Sequence, residues 1–353
     1  MPVWLTNVTM SGYVWVTFFF MLSGFILVYT ARDLHSAAAR RDFYIRRAAR
    51  ILPAYLFAWF LFAICQLTDP TISLIYWLKS TGIFGGLALG FIQGWIPGAA
   101  EYWNTPGWSL SCEAFFYLSF PAIFLVATTA TRRTLSTALL ALACTNAVTV
   151  LLIAHLETSP LLVGTVFATD WGSFLRDHPI VQIQQFVTGV LLGRMFVDGA
   201  RLPRPFVWLL VCIAAVVALS LLEYRDVRRD ALLVPIFGLS IYALASLPQP
   251  PAGRLANVGI LLGNASYAIY ILQEPIWYLY ADAAHSPRWG GTTSLASMVL
   301  FLTILIGFSV FFYQQVEKRT EPALRRLLQR LIDDRMRTRF RPASQISSAR
   351  SAE

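Results

Sequence analysis

Residues 289–316 read WGGTTSLASMVLFLTILIGFSVFFYQQV and contain no Asp, Glu, Lys or Arg. A helix of about 20 apolar residues is long enough to cross the roughly 30 Å hydrocarbon core of a bilayer. Glu317, Lys318 and Arg319 follow directly, so the apolar stretch ends at a charged boundary. The pattern therefore predicts a membrane-spanning α-helix.

The same pattern recurs along the chain, which has 353 residues, 57% of them hydrophobic and only 13% charged. A soluble domain carries about 25% charged residues, so the composition excludes a soluble globular enzyme. The four cysteines lie in or beside apolar runs without CxxC spacing, which predicts neither a disulfide framework nor a zinc site. Further uncharged stretches cover residues 1–31, 51–68, 114–131, 134–156, 178–193, 205–222, 231–253 and 255–273.

The positive charge of the chain is concentrated in two segments. Of the net charge of +9, residues 32–50 supply +4 and residues 317–353 supply +5. A basic stripe for a polynucleotide would not be split in this way between a loop and a tail, so nucleic acid is not the expected partner. Cytoplasmic loops of membrane proteins are enriched in Lys and Arg. Both segments are therefore predicted to lie on the cytoplasmic side of a lipid bilayer.

Working backwards from a cytoplasmic C-terminus, the apolar stretches predict an all-α fold, a polytopic membrane helix bundle of about nine transmembrane helices. A further apolar stretch, residues 72–96, is broken by Lys79 and several glycines, and we expect it to be re-entrant or to lie at the outer face. The chain divides into a membrane domain, residues 1–316, and a basic cytoplasmic tail, residues 317–353. The predicted spans cover residues 11–31, 50–68, 108–128, 134–155, 180–198, 206–223, 231–247, 257–281 and 294–315.

Two carboxylates fall inside predicted spans, where an ionisable group costs roughly 2.5 to 3.5 kcal/mol at the centre. Glu113 lies about one turn into its helix and shares a face with Ser109; a structural ion pair and a functional role are equally open for it. Glu274 precedes Pro275, which removes a backbone hydrogen bond. It ends a helical stripe with Ser266, Tyr270 and Gln273, a pattern more typical of polar packing between helices than of substrate binding.

Arginines converge just before the span that begins at Ile51. Arg46, Arg47 and Arg50 are spaced by three and four residues and so share one helix face. Their guanidinium groups would suit a phosphorylated cytoplasmic ligand; contact with anionic lipid, or a purely topological role, is the alternative. No metal-binding or nucleotide-binding signature occurs. The histidines, which we expect at interfaces, are His35, His155, His178 and His285.

Six sequence elements resemble, in order, those of acyltransferase family 3, the integral membrane O-acyltransferases of bacteria. The three most informative are GYVWVTFFFMLSGF (residues 12–25), FYIRRAARILPAY (residues 43–55) and WSLSCE (residues 108–113). The others are QFVTGVLLG (residues 185–193), GNASYAIYIL (residues 263–272) and VEKR (residues 316–319). Together they extend over most of the chain, which makes the resemblance specific although each element alone is weak.

The resemblance implies a ten-helix domain in the bacterial cytoplasmic membrane. It would transfer an acyl group, usually acetyl, from cytoplasmic acyl-CoA to a hydroxyl of a carbohydrate-containing acceptor, with no permanently bound cofactor and no metal. Under this interpretation Arg46, Arg47 and Arg50 hold the CoA phosphates, and Glu113 orients the general base or the acceptor hydroxyl. The residues assigned to substrate binding are Trp108, Ser109, Ser111, Tyr267 and Gln273.

The family's first helix carries an Arg and a His, and the His is thought to deprotonate the acceptor. In this sequence Met1 lies downstream of where that helix would end. We therefore expect an N-terminally incomplete version of a working enzyme; a substitute base or an inactive family member are the alternatives. A rival class is a multi-span transporter or glycan flippase that uses Glu113 and Glu274 as proton or substrate sites, although the internal repeat typical of transporters is not apparent.

Overall fold

The computed structural model describes residues 14–31, 33–157, 159–162, 169–220, 227–248, 251, 253–283 and 294–339. In these residues the fold is a helix bundle, with one two-stranded antiparallel ribbon, Pro160–Leu162 with Thr169–Asp170. The helices are α1 Val14–Thr30, α2 Ala37–Leu67, α3 Leu74–Ser80, α4 Gly86–Leu89, α5 Trp108–Thr129, α6 Arg132–Leu156, α7 Trp171–Asp177, α8 Pro179–Val197, α9 Pro205–Ser220, α10 Val227–Ser246, α11 Arg254–Ala283, α12 Leu295–Phe312 and α13 Lys318–Arg339.

The predicted all-α architecture is confirmed, and every predicted span coincides with a helix. Six helical segments are long and apolar enough to cross a membrane: Ala37–Leu67, Thr105–Thr129, Arg132–Leu156, Pro179–Val197, Arg254–Ala283 and Leu295–Asp334. α1, α9 and α10 are apolar but shorter, so the count of nine crossings stays a prediction. The ends of two predicted spans, residues 11–13 and 221–223, lie outside the described residues, as do Gly12, Arg32, His285 and the tail beyond Arg339.

The closest helix packing in the described residues joins α1 to α8, and glycines make it possible. A Cβ added to Gly189 would lie 1.9 Å from the Met21 carbonyl oxygen, and one added to Gly24 would lie 2.2 Å from the Phe186 carbonyl oxygen. Gly193 is similarly close to the backbone of α1. Glycines four residues apart let two helix backbones touch inside a membrane. The LSGF and TGVLLG sequence elements are thus the two halves of one helix contact.

An aromatic cluster extends this contact to α5. The Phe20 ring packs edge-on against Trp108 and Phe116, with the Phe116 centroid 5.0 Å away. Phe116 in turn stacks on Phe186, with 4.9 Å between the ring centroids. Because aromatic pairs in these geometries contribute beyond the area they bury, the cluster sets the distance between α1, α5 and α8. It therefore also sets the position of the polar residues on α5.

Residues 72–96, which we expect to be re-entrant or to lie at the outer face, contain α3, a π-helical turn, α4 and a short 3-10 turn, and their placement relative to the bilayer stays a prediction. Within this segment, the Phe91 carbonyl accepts a hydrogen bond from the Ser111 hydroxyl at 2.7 Å. Its carbonyls are thus paired by side chains of neighbouring helices, as irregular backbone in a membrane requires. Three bonds between α2 and the segment join Trp77 Nε1 to the Ala63 carbonyl, Trp59 Nε1 to the Gly85 carbonyl and the Tyr55 hydroxyl to the Ala88 carbonyl.

The last long helix continues through a π-helical turn, Tyr313–Glu317, into α13. α13 packs against the N-terminal half of α2, and successive ion pairs show that the two helices run antiparallel. These pairs are Arg50 with Glu317, Arg325 with Asp42, and Arg41 with Asp333. The predicted basic tail therefore begins as a helix that contacts the Arg-rich segment rather than as an isolated anchor.

Candidate active site

A cavity of about 260 Å³, which we call the membrane cavity, lies between α1, α2, α5 and α11. Most of its wall is apolar, and the charged side chains in its lining are Arg47, Arg50 and Glu113. It extends from the beginning of α5 to the Arg-rich part of α2. Its lining is Val16, Phe19, Phe20, Leu22, Ser23, Ile26, Leu27, Arg47, Arg50, Ile51, Ser109, Leu110, Glu113, Tyr117, Ser266, Tyr267 and Tyr270.

Glu113 is the carboxylate of this lining, and its surroundings supply few hydrogen bonds. The Tyr117 hydroxyl donates to Glu113 Oε2 over 3.4 Å, which is long for a hydrogen bond. Arg47 interacts with Glu113 electrostatically. The Ser109 hydroxyl, one turn earlier, is occupied with the Pro106 carbonyl at 2.9 Å. The Glu113 carboxylate thus keeps acceptor capacity for a further partner in the cavity.

The other intramembrane carboxylate, Glu274, has a structural role. It accepts hydrogen bonds from the Thr105 backbone N–H and from the Thr105 hydroxyl, the latter at 3.3 Å. The Tyr270 hydroxyl donates to the Pro106 carbonyl at 3.0 Å, and the Asn104 amide donates to the Ile271 carbonyl at 3.1 Å. α11 thereby holds the backbone just before α5 and so positions Ser109 and Glu113. For Tyr270 and Glu274 these are packing contacts of the kind that the stripe favoured, whereas Ser266 and Tyr270 also line the membrane cavity.

Two contacts tie α11 to α2 at the Arg-rich end of the membrane cavity. The Tyr267 hydroxyl donates to the Ile51 carbonyl at 3.2 Å, and Arg50 Nη2 donates to the Asn264 carbonyl at 2.7 Å. Arg50 is further occupied by Glu317 through Nη1. Both terminal nitrogens of its guanidinium therefore have a partner within the protein.

A second cavity of about 520 Å³, the basic cavity, adjoins the Arg-rich part of α2. Arg47 borders both cavities. Its guanidinium lies 5.9 Å from the centroid of the Phe43 ring, and it makes no hydrogen bond or ion pair with the described residues; its Nε is buried without a partner. The lining of the basic cavity is Leu27, Thr30, Ala31, Asp33, Leu34, Ala39, Asp42, Phe43, Arg46 and Arg47.

The structure brings most, though not all, of the residues assigned from the sequence to one place. Arg46 borders the basic cavity instead of the membrane cavity. Trp108 and Ser111 are buried in packing contacts, and Gln273 lies outside the lining of both cavities. The assigned residues on the membrane cavity are Arg47, Arg50, Ser109, Glu113 and Tyr267.

Sequence reasoning passed over two polar residues that line the membrane cavity, Ser23 and Tyr117. The sequence could have pointed to both residues. Tyr117 follows Glu113 by four positions and so shares its helix face, and Ser23 precedes the close-packed Gly24. The described histidines do not line the membrane cavity. Its polar groups can therefore orient a hydroxyl or accept a hydrogen bond, and Glu113 is the group that can take a proton.

Comparison with known proteins identifies the family. Residues 2–313 match the family described as Acyltransferase domain. The chain is 30% identical over 321 residues to Acyltransferase MdmB of Streptomyces mycarofaciens, an alignment that covers 86% of this chain and 79% of the relative. It is 26% identical over 315 residues to Exopolysaccharide production protein ExoZ of Rhizobium meliloti (strain 1021), covering 88% and 89%.

No solved structure matches the chain significantly. The family match nevertheless includes every helix from α1 to α12, and thus all four helices that enclose the membrane cavity. The elements that first suggested the resemblance are also those that build the α1–α8 contact, the Arg-rich part of α2 and the start of α5. The chain belongs to acyltransferase family 3.

Proposed function

We propose that this protein is a membrane-embedded O-acyltransferase that moves an acyl group, which we expect to be acetyl, from cytoplasmic acyl-CoA to a hydroxyl of a glycan or glycoconjugate. One observation carries the proposal: Arg47 borders both the basic cavity and the membrane cavity, and Glu113 lines the latter. An anionic donor requires a cationic binding region, and a hydroxyl acceptor requires a group that can accept its hydrogen bond. Arg47 supplies the first and Glu113 the second.

The donor would occupy the two cavities according to the polarity of its parts. Guanidinium groups bind phosphate through paired hydrogen bonds, so the nucleotide end of CoA belongs with Arg46 and Arg47 in the basic cavity. The thioester end is uncharged and slender, and it suits the apolar wall of the membrane cavity. Arg47 would then lie where the two parts of the donor meet.

The reaction requires that a hydroxyl oxygen attack the thioester carbonyl carbon. A C–O bond forms, the C–S bond breaks, and the hydroxyl proton ends on the departing sulfur as the CoA thiol. Glu113 lies in the membrane cavity with acceptor capacity, and it would orient the acceptor hydroxyl or the base that removes its proton. The Tyr117 hydroxyl beside it would hold the carboxylate in that orientation.

The name of ExoZ, an exopolysaccharide production protein, supports a polysaccharide acceptor, and that of MdmB supports acyl transfer. We further propose that the protein lies in the bacterial cytoplasmic membrane with its C-terminus in the cytoplasm. The ion-paired α2 and α13 segments place both basic regions of the sequence at one end of the bundle, and basic segments favour the cytoplasmic side.

The test uses membranes that contain the full-length protein, together with acetyl-CoA labelled in the acetyl group and cell-envelope glycans of the host as acceptor. We expect label to enter the glycan fraction, and Glu113→Gln to reduce this transfer by at least about 100-fold, the scale of a lost acid–base contribution. Glu101→Gln, which alters an exposed carboxylate outside both cavities, is the control. The proposal fails if the wild type labels no glycan, or if Glu113→Gln transfers as much label as Glu101→Gln.

A further inference from the structure

Two guanidinium groups from distant parts of the chain donate hydrogen bonds to a single carboxylate where α2 meets α13. Arg46 donates to Asp42 Oδ2, and Arg325 Nη2 donates to Asp42 Oδ1 at 2.9 Å. The Gln329 amide approaches the same Oδ1 at 3.4 Å. Asp42 also lines the basic cavity together with Arg46 and Arg47. One anionic group is therefore surrounded by donors from both helices beside the proposed donor site.

This arrangement has the chemistry of an anion-binding site occupied by an internal anion. A carboxylate and a phosphate present similar oxygen atoms to arginine forks. The side chains are open to solvent, with 32% of Asp42, 42% of Arg46 and 41% of Arg325 exposed. Ion pairs between solvent-exposed groups are weak. An incoming phosphate, with more charge and more acceptor oxygens, can therefore replace the carboxylate.

Arg50 differs from Arg46 and Arg325, because the carboxylate that it binds is buried. Its partner Glu317 is 1% exposed, and its second terminal nitrogen is bonded to the Asn264 carbonyl. A charge buried in this way is not readily separated from its partner, because the partner would be left unpaired and desolvated. Arg50 is thus committed to the protein, although it lies on the same helix face as Arg46 and Arg47.

We propose that the junction of α2 and α13 is a phosphate-binding site for the nucleotide end of the donor, in which Arg325 and Gln329 of α13 join Arg46 and Arg47. The inference rests on the proposed function, because it takes acyl-CoA as the donor. Asp42 holds the two guanidinium groups in place until a phosphate displaces it. Arg50 is a positioning residue that fixes the wall of the membrane cavity and contacts no phosphate.

The experiment measures binding of coenzyme A to the purified full-length protein in neutral detergent, by isothermal titration. We expect Arg325→Gln to weaken binding about tenfold, since one charge-assisted contact of about 1.4 kcal/mol corresponds to that factor, and Arg325→Lys to recover part of it. Arg330→Gln is the matched control, because Arg330 is an exposed arginine of the same helix. We expect it to change the affinity less than about twofold.

Asp42→Asn gives an independent test with the opposite sign. It removes the competing anion, so we expect binding of coenzyme A to tighten about threefold or more. A purely structural role for Asp42 predicts weaker binding instead. Asp42→Asn also keeps the test decisive if Arg325→Gln does not fold.

The outcomes separate this inference from the proposed function. If the wild type does not bind coenzyme A, the proposed donor is wrong and the inference falls with it. If the wild type binds but Arg325→Gln equals Arg330→Gln, or Asp42→Asn does not tighten binding, the inference alone is overturned. A lipid headgroup is the other possible source of the phosphate, and phosphatidylglycerol in nanodiscs tests it. If Arg325→Gln weakens binding of phosphatidylglycerol but leaves binding of coenzyme A unchanged, the nucleotide assignment is contradicted.

Discussion

The Arg50 guanidinium donates to Glu317 Oε2 over 3.0 Å, although the two residues are 267 positions apart in the chain. The same guanidinium donates to the Asn264 carbonyl and lies 5.7 Å from the centroid of the Tyr313 ring. α2, α11 and the junction of α12 with α13 therefore meet at one arginine. This convergence fixes the position of Arg50 in the lining of the membrane cavity.

We predict that Glu317→Ala destabilises the protein by about 1–3 kcal/mol, because Arg50, 28% of which is exposed, loses a charge-assisted hydrogen bond to a buried partner. Thermal unfolding in detergent measures the effect. Asp333→Asn is the control, because it breaks the exposed pair with Arg41 and should cost less than about 1 kcal/mol. Equal losses in the two variants would show that the Arg50–Glu317 pair is not a buried structural contact.

The two intramembrane carboxylates should respond differently to substitution. Glu274→Ala leaves the Thr105 N–H and hydroxyl without their acceptor, and we expect it to lower stability by about 1–3 kcal/mol. Glu113→Gln should abolish acyl transfer while the melting temperature stays near that of the wild type. Measuring the melting temperature and the rate of acyl transfer for both variants tests whether Glu274 is structural and Glu113 functional. A large loss of stability in Glu113→Gln, with activity retained in the folded fraction, would make Glu113 the structural residue.

The contact between α1 and α8 should not tolerate one additional methyl group. Gly189→Ala places a Cβ against the backbone of Met21, so the helices must separate, at a cost of about 1–3 kcal/mol or more. Gly307→Ala is the matched control, since no atom lies within 4 Å of its added Cβ, and alanine is favoured over glycine inside a helix. We expect a lower melting temperature only for Gly189→Ala. Because Ser23 and Phe20 of α1 line the membrane cavity, coenzyme A binding should weaken as well.

Asp177, the last residue of α7, should make stability depend on pH. Burial, followed by the nearby negative charge of Glu101, raises the pKa of this carboxyl well above its usual range, with Asp170 adding to the effect and Arg176 opposing it. A carboxyl with a raised pKa in the folded state stabilises the protein at low pH, and this contribution is lost as the pH rises through the folded-state value.

Asp177→Asn removes the titration. We therefore expect a higher melting temperature than the wild type at pH 8, and a difference that shrinks as the pH falls towards about 4, the ordinary pKa of aspartate. Thermal unfolding across this pH range measures it. A variant less stable than the wild type at pH 8 would mean that the ionised carboxylate has a stabilising partner.

The apolar stretches determined which residues form the membrane-spanning helices. About twenty consecutive uncharged residues are enough to form such a helix, whichever other helices pack against it. Thus α5, α6, α8, α11 and α12 follow the predicted spans closely, whereas α2 begins at Ala37, well before the span predicted from residue 50. The clustering of arginines before Ile51 and the presence of a carboxylate early in α5 are equally visible in the sequence. The candidate site was predictable to that extent.

What each charged residue does was decided by tertiary structure alone. Glu113 and Glu274 have similar local sequence settings, yet one faces a cavity and the other is bonded to Thr105, 169 positions away. Arg46, Arg47 and Arg50 share one helix face, yet Glu317 engages Arg50, Asp42 engages Arg46, and Arg47 alone of the three is left unpaired among the described residues. Spacing along one helix shows which side chains share a face and can bring a local partner such as Asp42 beside Arg46, whereas Glu317 and Arg325 reach α2 from helices distant in the chain. Only the packing of those helices determines which charges remain available to a ligand.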